Sequence, residues 1–211
     1  MSGHGHDPAP SPAQDGRTRV AVLISGAGSN MAAIIEAAKA SDYPAEIAVV
    51  ISNNPEAPGL ELARAAGIEA LAIDHRPFGK ARHAHEAAID AALRLRGVEV
   101  VVLAGYMRIL TAHLVQAWEG RMLNIHPSLL PNYPGLDTHA RAIAAGDAEA
   151  GCTVHLVTEG VDEGPVLGQA RVPIKAGDTA DSLAARVRTA EHRLYPEALA
   201  AFIRQRKTAP V

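Results

Sequence analysis

From Thr18 onward, short apolar runs rich in Val and Ile alternate with Ala-rich stretches whose apolar positions recur every three or four residues. The runs have the composition of strands buried on both faces, and the Ala-rich stretches have the period of helices with one apolar side. The pattern predicts strands over residues 20–24, 46–51, 70–73, 98–103 and 122–125. Between them it predicts helices over residues 30–40, 58–66, 79–96 and 111–118, with Ser29 or Asn30 available to cap the first. Strict alternation of this kind predicts an α/β fold, a doubly wound and mostly parallel sheet with helices on both faces.

After His126 the pattern changes. Pro127, Pro131, Pro134 and Gly135 predict a rigid loop, because proline fixes its own φ and excludes the helical region for the residue before it. A short helix over 138–145 and strands over 153–158 and 165–173 follow, the strands joined by the acidic turn 159–164. A long amphipathic helix over 179–204, bent or interrupted at Pro196, ends the pattern. The expectation is one domain over residues 18–211, built from a half at 18–126 and a smaller half at 127–211 that completes a cleft. Residues 1–17 are polar and rich in Pro, Gly and Ser, which predicts a disordered tail with no signal-peptide core or bilayer span. His4 and His6 in that tail lack a supporting shell and read as an untethered pair rather than a metal site.

Composition narrows the function classes. At 211 residues and 48% hydrophobic, the chain can bury a substantial core. Its one cysteine, Cys152, excludes an internal disulfide and a cysteine-based zinc site, and suits a reducing, cytoplasmic setting. A net charge of −3 with 3% aromatic residues argues against a basic, base-stacking surface, so no nucleic-acid partner is expected. Small-molecule substrates are the expectation, with no membrane and no metal. The oligomeric state stays open, a homodimer being compatible with the sequence.

Ser25-Gly26-Ala27-Gly28-Ser29-Asn30 follows the first predicted strand and opens the first helix. In such a turn, glycines let the backbone approach a phosphate while free helix N-terminal amides and a hydroxyl face the anion. A phosphate monoester site, an unoccupied connecting turn and a dinucleotide site all fit the loop. The dinucleotide reading lacks its third glycine, since Met31 stands there, and no P-loop lysine follows.

Asn124 and His126 end the fifth predicted strand two residues apart, and strand alternation puts them on one face at the sheet edge where α/β ligands bind. Asp162 sits in the acidic turn, within reach of the imidazole if the turn folds back. Amide, imidazole and carboxylate without a nucleophilic Ser or Cys suit direct acyl transfer to an amine. Asn124 and protonated His126 would donate to the oxyanion, while Asp162 holds the imidazole and helps remove the amine's proton. Spacing alone favours the plainer reading, ordinary strand-end residues and a turn former, over the catalytic one.

Asn124-Ile125-His126-Pro127-Ser128-Leu129-Leu130-Pro131 with Tyr133-Pro134-Gly135 resembles the signature of the 10-formyltetrahydrofolate-dependent formyltransferases, in the branch that formylates glycinamide ribonucleotide. The resemblance extends to the glycine loop, to Leu103-Ala104-Gly105-Tyr106-Met107-Arg108-Ile109-Leu110, to Thr153-Val154-His155 and to Asp162-Glu163-Gly164-Pro165-Val166. It implies that Asn124, His126 and Asp162 form the catalytic trio. It implies that Gly28, Ser29 and Asn30 hold the substrate phosphate, that Glu191 binds the ribose hydroxyls and that Arg188 lies near the phosphate. For the folate co-substrate, it implies contacts from Met107, Arg108, Ile109, Leu110, Val157 and Asp162, with Arg82 on the glutamate carboxylate. Asn132 and Asp137 depart from the lysine and histidine frequent at those positions, with consequences for affinity or pH response. His139 is expected to line the cleft, and His155 reads as either a structural or a site residue. His83, His85, His113 and His192 read as surface or packing residues, and Tyr106 and Met107 would also suit a core.

Two relatives and one unrelated class compete. A formyltetrahydrofolate hydrolase shares the trio but carries an added N-terminal domain, against the short segment 1–17 here. A methionyl-tRNA formyltransferase adds a basic C-terminal RNA-binding domain. A non-catalytic nucleotide-binding module would use the glycine loop alone and leave the trio unexplained.

Overall fold

The computed structural model describes residues 16–208. The expected tail, with His4 and His6, lies outside them except for Gly16 and Arg17. These two are held by Lys207, which donates to the Gly16 carbonyl at 2.6 Å, and by the Ala38 carbonyl, 3.3 Å from the Arg17 guanidinium.

The elements run β1 (Thr18–Ile24), α1 (Ser29–Ala37), β2 (Ala45–Ser52), α2 (Pro58–Ala65), β3 (Ala70–Ala72), α3 (Arg82–Leu95), β4 (Val100–Leu103), α4 (Ala112–Ala117), β5 (Met122–His126), α5 (Thr138–Ala145), β6 (Glu149–Leu156), β7 (Val166–Pro173) and α6 (Ala180–Thr208). One seven-stranded sheet has the order β3-β2-β1-β4-β5-β6-β7. Its strands are parallel through β5, and β6 and β7 then add antiparallel. The α/β class holds, and the C-terminal strands extend the same sheet instead of starting a second one.

Alternation along β1 splits the core in two. Val20, Val22 and Ile24 face a layer that includes α1 and α6, while Ala21 and Leu23 face α3 and α4 around Leu93, Leu114 and Trp118. Each face of the sheet is thus sealed by helices, which explains the unbroken apolar runs. The sheet order reverses between β1 and β4, and the carboxyl ends of the strands near such a reversal are where α/β folds bind ligands.

Three local expectations change. No side chain caps α1; Gly28 itself takes the cap position at φ 71°, a conformation cheap only for glycine. A 3-10 turn at Arg76–Phe78 precedes α3, and Gly79 at φ 53° turns the chain, so the helix starts at Arg82 instead of residue 79. The last helix is not interrupted at Pro196 but runs through it to Thr208. Pro196 is buried, and its carbonyl accepts the Tyr43 hydroxyl at 2.8 Å. Packing of α6 against α1, β6 and β7 outweighs the local cost of the proline.

Candidate active site

A cavity of ≈ 820 Å³ opens at the carboxyl ends of β4 and β5. Its walls are the strap between β4 and α4, the turn between β6 and β7, and the first turns of α5 and α6. Asn124, His126 and Asp162 all line it. The antiparallel register of β5 and β6 sets Asn124 directly across from His155 and His126 across from Thr153.

His126, 6% exposed, has its two nitrogens in different company. Nε2 lies 2.9 Å from the Tyr133 carbonyl, which can only accept, so this nitrogen carries a hydrogen. Nδ1 lies 3.2 Å from Asp162 Oδ2. Facing an ionised carboxylate, both contacts are hydrogen bonds at once only when both ring nitrogens carry a hydrogen. Burial pushes the Asp162 carboxyl upward, but His155, the Gly135 N–H and the charge on His126 outweigh it and hold the group below the ordinary range. The Gly135 N–H donates to Asp162 Oδ2 at 3.0 Å, stitching the acidic turn to the proline-rich loop.

His155 completes the group. Its Nδ1 lies 2.9 Å from the Leu156 carbonyl and must therefore donate. Nε2 lies between Asn124 Nδ2 at 3.2 Å and Asp162 Oδ1 at 3.6 Å: in the charged ring its hydrogen faces Asp162, and in the neutral ring it is a bare acceptor for Asn124. One amide hydrogen of Asn124 is thereby fixed on His155, leaving the second free. Sequence reasoning left His155 open and missed the Tyr133 carbonyl and the Gly135 amide, main-chain groups that no side-chain pattern encodes.

Among the described residues the non-glycine positions with positive φ are Tyr133 (53°), Asp137 (56°) and Asp162 (58°). All three belong to the loops around His126, and conformations of this kind persist where the surroundings over-determine them. Here Tyr133 donates its hydroxyl to Asp147 at 2.6 Å, and Thr153 ties the same loop by donating to the Ser128 carbonyl and accepting from the Leu130 N–H.

The remaining sequence-predicted residues divide. Asn30, Met107, Arg108, Ile109, Leu110, Val157 and Glu191 line the cavity. Met107 is 72% exposed on its rim, so the core alternative for it falls. Asn30 donates to Glu191 Oε2 at 2.8 Å, while its buried Oδ1 has no partner among the described residues. Gly28 and Ser29 sit behind Asn30 at the start of α1 and do not line the cavity. Arg82 is exposed, 3.4 Å from the Ile109 carbonyl, outside the cavity lining. Arg188 is likewise exposed and outside the lining, whereas His139 lines the cleft. Burial, then the charges of Arg188 and His126, hold the His139 imidazole below its usual range. His85 is buried and packs, with Nε2 2.8 Å from the Ile73 carbonyl, and His83 and His113 are exposed and in ring contact.

With this geometry, comparison with known sequences is decisive: the sequence model described as "Formyl transferase" matches residues 18–199. The chain belongs to the formyl transferase family. It is 47% identical over 183 residues to the phosphoribosylglycinamide formyltransferase of Escherichia coli strain K12, covering 87% of this chain and 86% of that protein. It is 48% identical over 189 residues to the trifunctional purine biosynthetic protein adenosine-3 of Drosophila melanogaster, covering 89% of this chain but spanning only 14% of that relative's length. Among solved structures, the phosphoribosylglycinamide formyltransferase of Brucella melitensis superposes with a TM-score of 0.85 at 54% identity, covering 92% of this chain and 98% of that one. The hydrolase alternative has a counterpart in the formyltetrahydrofolate deformylase of Burkholderia mallei, at TM-score 0.81 and 27% identity, covering 90% of this chain and 66% of that one. This formyl transferase shares its fold with both kinds of enzyme, and its sequence lies nearer the amine-formylating kind.

Proposed function

We propose that this chain is a phosphoribosylglycinamide formyltransferase, which moves the formyl group of 10-formyltetrahydrofolate to the amine of glycinamide ribonucleotide in purine biosynthesis, in the cytoplasm. The observation that carries the reading is the convergence of Asn124, His126 and Asp162 on one cavity wall, with Asp162 Oδ2 3.2 Å from His126 Nδ1. The cavity suits the two substrates in character. Met107, Ile109, Leu136 and Val161 give its rim exposed apolar surface fit for a flat heteroaromatic ring, and the unpartnered Asn30 Oδ1 and the Glu191 carboxylate offer acceptors for hydroxyls.

In the reaction the primary amine adds to the formyl carbon, and the carbonyl oxygen takes up negative charge. The free amide hydrogen of Asn124 is the donor for that oxyanion, and the imidazolium charge of His126, whose Nδ1–H is held by Asp162, stabilises it from beside. Nε2, committed to the Tyr133 carbonyl, keeps the ring from turning. Asp162 balances the imidazolium and accepts the proton that the attacking nitrogen loses, directly or through water. That proton leaves with N10 of the folate as the C–N bond breaks. Gly28, Ser29 and Asn30 at the start of α1 hold the phosphate, with Arg188 on the same side, and Glu191 takes the ribose. Residues Met107 to Leu110 with Val157 take the pterin, and Arg82 takes the glutamate carboxylate.

The test is amine-dependent loss of 10-formyltetrahydrofolate. Turnover only in the presence of glycinamide ribonucleotide supports the proposal. Turnover without the amine makes the protein a hydrolase, and no turnover makes it a binding module.

A further inference from the structure

Residues 105–111 cross from β4 to α4 with Tyr106 and Leu110 packed against the core and Met107 and Ile109 turned outward, 72% and 67% exposed. Polar contacts pin the strap at both ends. At its near end the Ser25 N–H donates to the Gly105 carbonyl at 3.1 Å, and the Met107 N–H donates to Ser25 Oγ at 2.8 Å. The hydroxyl's one hydrogen is committed to Asn53 Oδ1 at 2.5 Å, so its oxygen is left as an acceptor for the strap. Asn53 is 5% exposed, and His75 binds its main chain, with Nδ1 2.9 Å from the Asn53 carbonyl. At the far end Glu86, 3% exposed on α3, accepts the Thr111 N–H at 2.8 Å and also the Thr111 hydroxyl.

The geometry points to Ser25 and Glu86 as positioning residues for the formyl donor: they pin both ends of the strap that faces it and have no part in holding the amine. This rests on the reading of the strap as the donor's subsite given above. Ser25 belongs by sequence to the glycine loop assigned to the amine's phosphate, yet its side chain turns away from Ser29 and Asn30 toward Met107. A strap that lost a pin at one end would have to be ordered there at the moment of binding, which weakens affinity for whatever it grips.

The experiment uses Ser25→Ala and Glu86→Gln in the full chain, with 10-formyl-5,8-dideazafolate as a stable donor probe. In Ser25→Ala, the Kd for the probe and the KM for 10-formyltetrahydrofolate should rise about five- to tenfold, the equivalent of one hydrogen bond of ordinary strength. The KM for glycinamide ribonucleotide should stay within about twofold, since no group touching it has moved. Exchange of the Met107 amide hydrogen should quicken, and Ser25→Thr, which keeps the hydroxyl, should restore all three readings. Glu86→Gln should shift the same donor constants in the same direction. An amine KM that rises as much as the donor's would overturn the assignment, as would faster Met107 exchange with unchanged probe affinity. Should the native protein formylate no amine, the activity reading fails, and probe binding with amide exchange still decides whether the pins serve the donor.

Discussion

At the residue scale, His126 stands between a carbonyl that takes its Nε2 hydrogen and a carboxylate that faces Nδ1. His126→Ala should lower kcat by about 10² or more, because the positive charge beside the oxyanion and the partner of Asp162 vanish together; a variant keeping most of its turnover would reject the role. Asp162→Asn keeps an acceptor for the Gly135 N–H but loses the charge, so kcat should fall more than either substrate's affinity. Steady-state constants for both substrates check this, and an unchanged kcat would count against it. His155 acts through Asn124. His155→Ala should cut kcat about tenfold with both KM values nearly unchanged, and in an Asn124→Ala background the same substitution should cost almost nothing. Equal costs in the two backgrounds would show that the contact at 3.2 Å does not orient the amide.

At the element scale, α2 sets the position of the glycine loop through Gly59, which donates its N–H to the Gly26 carbonyl at 3.1 Å. A Cβ at residue 59 would meet Ile24 Cδ1 at 2.5 Å and the Gly26 carbonyl oxygen at 3.0 Å. Gly59→Ala should therefore push the loop outward, lower the Tm by an amount equivalent to about 1–3 kcal/mol, and raise the KM for the phosphorylated amine with little change in kcat. Thermal unfolding and amine kinetics check it, and an unchanged amine KM would separate the loop from that substrate. Elements of this kind mark how far the sequence could be read. The five parallel strands were legible because burial on both faces writes continuous apolar runs. The motif around Asn124 and His126 and the acidic turn with Asp162 were legible because their residues lie close in the chain. Gly59 was not, because its constraint comes from Ile24 and Gly26 across the fold, and α2 by itself reads as an ordinary helix. His155 stayed undecided for the same reason, since its partner is fixed by the β5–β6 register. Pro196 misled, because a local rule about proline says nothing of the packing that holds α6 together.

At the scale of the whole molecule, the site depends on one sheet whose two ends are tied by charged groups, and this dictates how the fold responds to acid. Asp178, ahead of α6, accepts two hydrogen bonds from Arg186, the Lys175 N–H and the Ser182 hydroxyl, and these hold its carboxyl well below the ordinary range. Glu69, through Arg96, is held down as well, as is Asp162 at the site. For each of these groups the unfolded chain binds a proton at higher pH than the folded one. Their stabilisation is therefore complete above the ordinary carboxylate range, about pH 4, and is lost as pH falls from there through the lowered folded values. The Tm should accordingly decline gently from neutrality to about pH 5, where the lowered imidazoles of His139 and His85 take protons more readily in the unfolded chain, and then drop steeply as the carboxylates follow. Asp178→Asn should lower the Tm at neutral pH and make the acid drop shallower, because one of the groups that generates the slope is gone. Since Asp178 lies outside the cavity lining, kcat at neutral pH and a temperature well below the Tm should hold. An acid slope as steep in the variant as in the native protein would mean that the Asp178–Arg186 pair contributes nothing to the pH dependence, and that the remaining carboxylates, Asp162 at the site among them, carry it.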